Sequence, residues 1–197
     1  MCVVYSWTVI TYRFDGSQDF NRSWDEYKLG FGSAGGEYWL GNEYMYYMTE
    51  RRVYTLRFDL EDWDGNTAYA EYSQFEVLSE GNSYQLQLSG YNGSASSDDS
   101  HDAADGFMYH NDAQFSTYMY DQSDNIDCAN SNGGGGFWWQ QQSGDCGRVR
   151  PTNKYCVTSD CASSGGGGGG GTTGVTWDAW KTSAYSLKTL KMMMRPQ

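Results

Sequence analysis

Basic residues are scarce in this sequence. The 197 residues include 13 Lys and Arg against 25 Asp and Glu, which gives a formal net charge of -12 at pH 7 and an isoelectric point near 4.4. Nucleic-acid affinity depends on lysine and arginine neutralising phosphates, so this balance argues against nucleic acid and anionic membranes as partners. An excess of carboxylates is compatible with calcium, which prefers oxygen ligands.

Other signals are missing as well. No apolar run approaches the length that spans a bilayer. The sequence has no Cys-x-x-Cys pair and its only histidines are His101 and His110, so the ligand spacing of a zinc site is lacking. Glycine tracts occupy 133–136 and 165–171, but neither is followed by the Lys-Ser or Lys-Thr of a phosphate-binding loop. Because glycine loses the most backbone entropy on ordering, both tracts are expected to be flexible filler.

The five cysteines indicate an oxidising environment. Cys2 stands alone, whereas four others lie close together in the second half of the chain and suggest two disulfides: Cys128, Cys146, Cys156 and Cys161. Disulfides imply a secretory route. The first residues have no basic start, no adequate apolar run and no clear cleavage site, so either a signal peptide has been removed or the chain is a fragment.

A short, half-buried helix is predicted within residues 20–32. Ser23 and Glu26 have the spacing of a capping box, in which each side chain bonds to the other residue's main chain. The buried face is expected to carry Trp24, Tyr27 and Phe31. The helix is expected to end at Gly30 and Gly32.

The middle of the chain predicts an antiparallel meander. Residues 54–60 alternate between apolar and more polar side chains, which is typical of a strand with one face against a core. Residues 67–77 and 83–90 continue the pattern after short connections, and short connections favour antiparallel pairing. From residue 92 the chain is rich in Ser, Asp, Asn and Gly, so a metal, a disulfide or packed aromatic rings must organise it.

Taken in order, these segments resemble the fibrinogen C-terminal (fibrinogen-related) domain family. The most telling run is Gly36-Glu37-Tyr38-Trp39-Leu40-Gly41-Asn42-Glu43, and the middle run, 60–70, agrees nearly as well. The other matching positions are 7–10, 15–17, 19–22, Phe75, Tyr91, 109–111, 115–117, 128–129, 138–139, Cys146, Trp177, 180–181, 185–188 and 195–196. The resemblance covers nearly the whole chain.

The resemblance implies an α+β fold, with a twisted antiparallel sheet flanked by short helices. We expect one domain over 1–197, with a core subregion at 7–91 and 173–197 and a loop-rich calcium and pocket subregion at 92–172. The family's opening segment, with its own disulfide, is absent from the sequence, so Cys2 is expected to lack its usual partner. A bridge between Cys128 and Cys146 is implied by the family, whereas one between Cys156 and Cys161 would be a local addition.

Calcium is the cofactor that the resemblance implies. The family's calcium-binding loop lies between the Phe-Ser-Thr run at 115–117 and Cys128. In this sequence the first ligand position falls on Asp121 and the second on Ser123, with Asp124 one residue further along. The register is therefore shifted, although Asp121, Asp124, Asn125 and Asp127 can still gather around a hard cation. The alternative is an acidic surface turn in which these side chains bond to their own backbone.

A ligand pocket for acetyl groups is the second implied site. Ficolin-like and tachylectin-like members use a histidine after the second cysteine and a tyrosine after paired tryptophans, but this sequence has Gly147 and Gln140 there. Aromatic positions at 171 and 183 are also lost, where this sequence has Gly171 and Ser183, so Tyr155, Trp138 and Trp139 remain. Without those walls we expect acetyl-sugar affinity to fall severely. The tryptophans can equally be core residues.

Two functions follow from the resemblance. The first is a secreted, extracellular, calcium-dependent recognition module that binds glycans carrying acetylated sugars, or proteins, and that oligomerises outside this segment. The alternative is a structural, receptor-binding or matrix module with no sugar site. Hydrolysis is not expected, because Glu61, Asp62 and Asp64 sit together in one tight turn rather than across a cleft.

Overall fold

A computed structural model describes residues 6–95, 106–122, 127–131, 133–140, 146–161 and 174–197, and a seven-stranded antiparallel sheet organises them. The strands are β1 (Thr8–Arg13), β2 (Phe31–Gly32), β3 (Tyr38–Trp39), β4 (Tyr54–Glu61), β5 (Thr67–Val77), β6 (Leu86–Gly93), β7 (Val149–Arg150), β8 (Thr176–Trp177) and β9 (Thr189–Pro196). The sheet order is β2-β3-β1-β9-β4-β5-β6, and β7 pairs with β8 separately. The helices are α1 (Trp24–Leu29), α2 (Asn42–Thr49) and α3 (Cys128–Ser131). The predicted α+β fold is confirmed.

The predicted meander forms β4, β5 and β6, each antiparallel to the next. In β4 the apolar residues Leu56, Phe58 and Leu60 are buried, whereas the residue that follows each of them, Arg57, Asp59 and Glu61, is partly exposed. Because successive side chains of a strand point to opposite faces, this alternation fixes which face of the sheet meets the core.

The C-terminal strand β9 lies at the centre of the sheet. It pairs with β1 on one side and with β4 on the other, and its buried residues include Leu190, Met192 and Met194. The sequence indicated only that an ordered segment resumes near the end of the chain. Its central position depends on pairing with strands far away in sequence, so local patterns could not predict it.

Helix α1 begins as predicted. The Ser23 hydroxyl accepts from the Glu26 main-chain N–H, and the Glu26 carboxylate accepts from the Ser23 N–H at 2.9 Å, which completes the capping box. The helix is shorter than the predicted segment, because Gly30 ends it with φ at 85°. Phe31 therefore belongs to β2, although its ring still packs 5.0 Å from that of Tyr27.

Helix α2 has no counterpart in the predicted elements. It begins after Gly41, which adopts φ at 113° and offers no side-chain cap. Its sequence, Asn-Glu-Tyr-Met-Tyr-Tyr-Met-Thr, has no cap signal and no clear apolar periodicity. Packing therefore decides this helix, with Met45 and Thr49 buried beneath it.

The first glycine tract is not flexible filler, contrary to the prediction. Gly135 lies so close to the main chain of Thr152 that an added Cβ would be 2.3 Å from its carbonyl oxygen, and at Gly136 a Cβ would be 2.6 Å from the Tyr27 ring. Only glycine permits such a close approach of backbones and rings. The second tract, 165–171, lies outside the described residues.

A turn at residues 62–66 ties the meander to the C-terminal segment. The buried carboxylate of Asp62 accepts from the main-chain N–H groups of Asp64 at 2.9 Å and Asn66 at 2.8 Å, and from the Asn66 side chain at 2.8 Å. The Lys181 ammonium lies 2.8 Å away. All of its acceptor capacity is occupied, so Asp62 is a structural residue here.

This turn predicts acid sensitivity. Burial alone would raise the pKa of Asp62, but hydrogen bonds from Lys181 and Asn66 lower it from 3.8 to about 2. The stabilisation is therefore complete above pH 3.8 and is lost as the pH falls towards 2, at a cost of about 2 kcal/mol. Urea unfolding of wild type and Asp62→Asn across this range should show that the wild type alone loses this increment. Parallel pH profiles of the two proteins would contradict it.

Candidate binding site

The loop-rich subregion is anchored by a disulfide between Cys128 and Cys146. Cys128 is buried at the start of α3, and the Gln140 main-chain N–H donates to the Cys146 carbonyl at 3.2 Å. A second bridge joins Cys156 to Cys161. Within this subregion lie the described members of the pocket and calcium sites that the sequence indicated.

The paired tryptophans are interior residues. Trp138 is fully buried and its indole N–H donates to the Tyr84 carbonyl at 2.7 Å, while Trp139 is 2% exposed and donates to the Gly135 carbonyl at 2.9 Å. Around Trp138 lie the rings of Trp39, Phe115 and Phe137, all within 6.0 Å between centroids. Both indoles have their polar groups paired within the protein, so the burial favours the core interpretation over a ligand contact.

Gly147 stands where the family resemblance expects a histidine, and the space beside it is occupied by another one. The fully buried His110 ring holds its Nδ1 2.7 Å from the Trp138 carbonyl, and its Nε2 accepts from the Arg148 and Val149 N–H groups at 3.2 Å each. The neutral ring therefore carries its proton on Nδ1. A Cβ at position 147 would lie 2.5 Å from the His110 Cε1 atom.

This contact predicts that even one methyl group at position 147 is not tolerated. Gly147→Ala should destabilise the domain by about 1–3 kcal/mol, because a buried imidazole held by hydrogen bonds cannot shift without losing them. Gly35→Ala is the matched control, since a Cβ there meets nothing within 4 Å. Thermal unfolding compares the two variants. If both unfold at the wild-type midpoint, His110 does not block this position.

The remaining pocket residues do not form an open aromatic site. Gln140 is half-buried. The Tyr155 hydroxyl lies 2.8 Å from the carbonyls of both Phe14 and Lys188, so the ring joins the first and last parts of the chain. Tyr155 also lines a groove of about 500 Å³ whose other walls include Phe20 and Asn153, but neither tryptophan contributes to it.

A buried ion pair lies beneath that groove. Arg13 and Glu37 are 1% and 2% exposed, with 3.4 Å between Nε and Oε2. The Arg13 Nη1 group donates to the carbonyls of Pro151 and Asn153 at 2.6 and 2.8 Å, and its guanidinium lies 4.0 Å from the centroid of the Phe20 ring. The pair therefore holds the 151–153 segment against β1. Nothing in local sequence patterns indicated that these two residues meet.

Two acidic side chains of the candidate calcium loop are described. Asp121 accepts from the Ala129 N–H at 3.4 Å and its carboxyl group interacts with that of Asp127. Burial alone would raise the pKa of Asp127, but hydrogen bonds from the Asn130 side chain and main chain hold it below its ordinary value. Ser123, Asp124 and Asn125 lie outside the described residues. Within the described ranges, no group of three or more His, Cys, Asp or Glu is placed to hold a metal ion.

Comparisons with known proteins agree on one family. The profile described as "Fibrinogen beta and gamma chains, C-terminal globular domain" matches residues 3–197. Bovine angiopoietin-1 is 40% identical over 190 residues, which cover 96% of this chain and 35% of the relative, and human angiopoietin-1 is 39% identical over the same length. The chain thus spans about a third of the length of these relatives.

Solved structures support the same assignment. The fibrinogen-like globe domain of human ANGPTL6 has a TM-score of 0.84 at 34% identity, covering 97% of this chain and 78% of that one. Lamprey fibrin D-dimer, complexed with the peptide ligand Gly-His-Arg-Pro-amide, has a TM-score of 0.83 at 32% identity, covering 96% of this chain and 61% of the other.

The fold and these similarities define a fibrinogen-like globular domain, which is a non-enzymatic module. The chain belongs to the fibrinogen C-terminal domain family. Membership of this family confirms the expectation that the chain is not an enzyme. Within the described residues, no helix is long and apolar enough to cross a bilayer.

Proposed function

We propose that this domain is secreted and acts outside the cell as a protein-binding module, of the receptor-binding or matrix kind, without a sugar site. The observation that carries this proposal is the contact at Gly147. Its neighbour His110 fills the space where an acetyl-binding member would place a histidine, and Trp138 and Trp139 are committed to the core. Among the described pocket residues, Gly147 offers no side chain and both indoles are buried, so the pocket has little to offer an acetylated sugar.

One further observation favours a protein ligand, and another favours an extracellular location. The lamprey fibrin relative is complexed with a peptide, so this fold accommodates a short stretch of polypeptide. The disulfides at Cys128–Cys146 and Cys156–Cys161 are suited to an oxidising extracellular environment. Because the rings of Trp138 and Trp139 are buried, binding by this domain then depends on its surface side chains.

The test has two arms that use the oxidised domain. In the first, the domain is passed over resin bearing N-acetylglucosamine in calcium buffer and then eluted with chelator. In the second, it is measured against a panel of purified receptor and matrix ectodomains by biolayer interferometry. We expect no retention on the resin and saturable binding to at least one ectodomain. Chelator-dependent retention on the resin without any ectodomain binding would overturn the proposal.

We also propose that the 121–127 loop binds calcium as a stabilising ion. The neighbouring carboxylates of Asp121 and Asp127 fit part of the oxygen shell that calcium requires. Calcium would screen the repulsion between these two carboxylates and hold the segment that leads into Cys128. Thermal unfolding in calcium against excess chelator tests this, with a rise of a few degrees expected at about a hundredfold the dissociation constant. Asp121→Asn should abolish the rise, whereas equal midpoints in calcium and chelator would reject the site.

A further inference from the structure

Exposed apolar side chains are concentrated on one side of the molecule. In the described parts of the chain, eight large apolar side chains are exposed, and six of them lie near α1, α2 and the 118–120 loop. Together with the half-buried Trp24 they form a surface that we call the aromatic face: Trp24, Leu29, Tyr44, Tyr47, Tyr118, Met119 and Tyr120. The other two are Val53, in the connection between α2 and β4, and Val157, in the Cys156–Cys161 loop.

Trp24 joins the two halves of this face. Its ring is 4.8 Å from that of Tyr120 and 5.5 Å from that of Tyr84, and its indole N–H donates to Glu80 at 3.0 Å. One turn along α1, Lys28 lies 2.5 Å from the same Glu80 carboxylate. The 118–120 loop is therefore continuous with the exposed side of α1.

Helix α2 continues the face. Glu43 accepts from the Tyr84 hydroxyl at 2.5 Å and is also hydrogen-bonded to Tyr47. At the start of the helix, a Cβ on Gly41 would lie 2.9 Å from the Tyr44 ring and 3.0 Å from the Leu29 main chain, so the end of α1 abuts the start of α2. Leu29 and Tyr44 are thus neighbours, at 64% and 54% exposure.

The composition of the face is that of a protein interface. Tyr, Trp and Met are enriched at the centres of such interfaces, where they offer large contact area at low entropic cost. Here four of the seven residues of the face stand on two packed helices, so much of the surface is ordered before a partner arrives. A clustered group of exposed apolar side chains on a soluble domain marks an interaction site.

The charges around the face indicate which partner fits. Asp25, Glu43 and Glu80 lie on or beside it, and its one described lysine, Lys28, is already paired with Glu80. A second copy of the chain would bring the same net charge of -12 and be repelled. A basic partner would be attracted, and its Arg and Lys side chains could stack on the tyrosine and tryptophan rings.

We propose that the aromatic face is the protein-binding surface of this domain, and that it takes a partner segment in which Arg or Lys residues flank an aromatic or aliphatic anchor. The inference rests on the proposed protein-binding function and specifies where and what the domain binds.

The test selects from a displayed library of random linear peptides with the wild-type domain as bait. Enriched peptides should combine basic residues with an apolar anchor, and their binding should weaken with added salt. Leu29→Ser with Met119→Ser should reduce affinity for these peptides about tenfold or more. Val53→Ser with Val157→Ser is the matched control, because it removes apolar side chains that are also at least half exposed but lie elsewhere, so it should leave affinity unchanged.

Thermal unfolding of both double variants should show that they fold alike, since all four side chains are exposed. Equal affinity of the two variants would overturn the assignment of the face while leaving a peptide-binding function in place. Enrichment of acidic peptides, or of no peptides, would overturn the proposed partner chemistry. The protein-binding function itself is tested separately, by the ectodomain measurements. Self-association that the Leu29 and Met119 substitutions abolish would make a second copy the occupant, which also contradicts the proposal.

Discussion

Glu37→Gln is expected to destabilise the domain by about 3–5 kcal/mol, because it leaves the buried Arg13 guanidinium without its counter-charge. One Glu37 oxygen accepts from the N–H groups of Phe14, Asp15 and Gly16 at 2.7 to 3.2 Å, and the other faces Arg13. Burial lowers the pKa of Arg13, and Glu37 opposes that effect. Removing the negative charge therefore affects both the turn after β1 and the anchoring of the 151–153 segment.

Urea unfolding measures this effect, with Glu50→Gln as the control. Glu50 pairs with Arg51 at 3.2 Å on the surface, where the Arg51 side chain is 78% exposed, so its loss should cost less than about 1 kcal/mol. Removing both charges, in Arg13→Met with Glu37→Gln, should recover part of the stability lost in Glu37→Gln alone, because no unpaired buried charge remains and the Gln oxygen can still accept from the turn after β1. Equal costs for Glu37→Gln and Glu50→Gln would refute the buried-pair account.

Removal of the Cys128–Cys146 bridge is the second large effect. Cys128→Ser with Cys146→Ser opens a loop with a sequence separation of 18, which should cost about 3 kcal/mol through the entropy of the unfolded chain. Opening the Cys156–Cys161 loop, with a separation of 5, should cost about 2 kcal/mol. Guanidinium unfolding under oxidising conditions compares the pairs. A larger loss from the shorter loop would contradict the predicted order.

Local patterns predicted much of the scaffold. The capping box at Ser23 and the alternation in 54–60 are determined by neighbouring residues, so they can be read directly from the sequence. Helix α2 and the central position of β9 depend on packing and on distant pairing, and they were missed. The glycine tract at 133–136 was misinterpreted because its composition does not reveal that Thr152 and Tyr27 pack against it.

The site was less predictable than the fold. The sequence identified Gly147 as a departure from the family's pattern, but not that His110 fills the space beside it, since that contact joins residues far apart in the chain. The ion pair of Arg13 and Glu37 was likewise invisible to local patterns. The aromatic face had a compositional signal in the abundance of tyrosine, yet only the fold separates exposed from buried rings.

The most direct measurement is equilibrium binding of the oxidised wild-type domain to purified receptor and matrix ectodomains, repeated at increasing salt concentration. The proposed function predicts saturable binding to at least one ectodomain, and the acidic aromatic face predicts that this binding weakens as salt rises. An ectodomain panel without any binder, together with calcium-dependent retention on N-acetylglucosamine resin, would contradict the proposed function and favour the sugar-binding module instead.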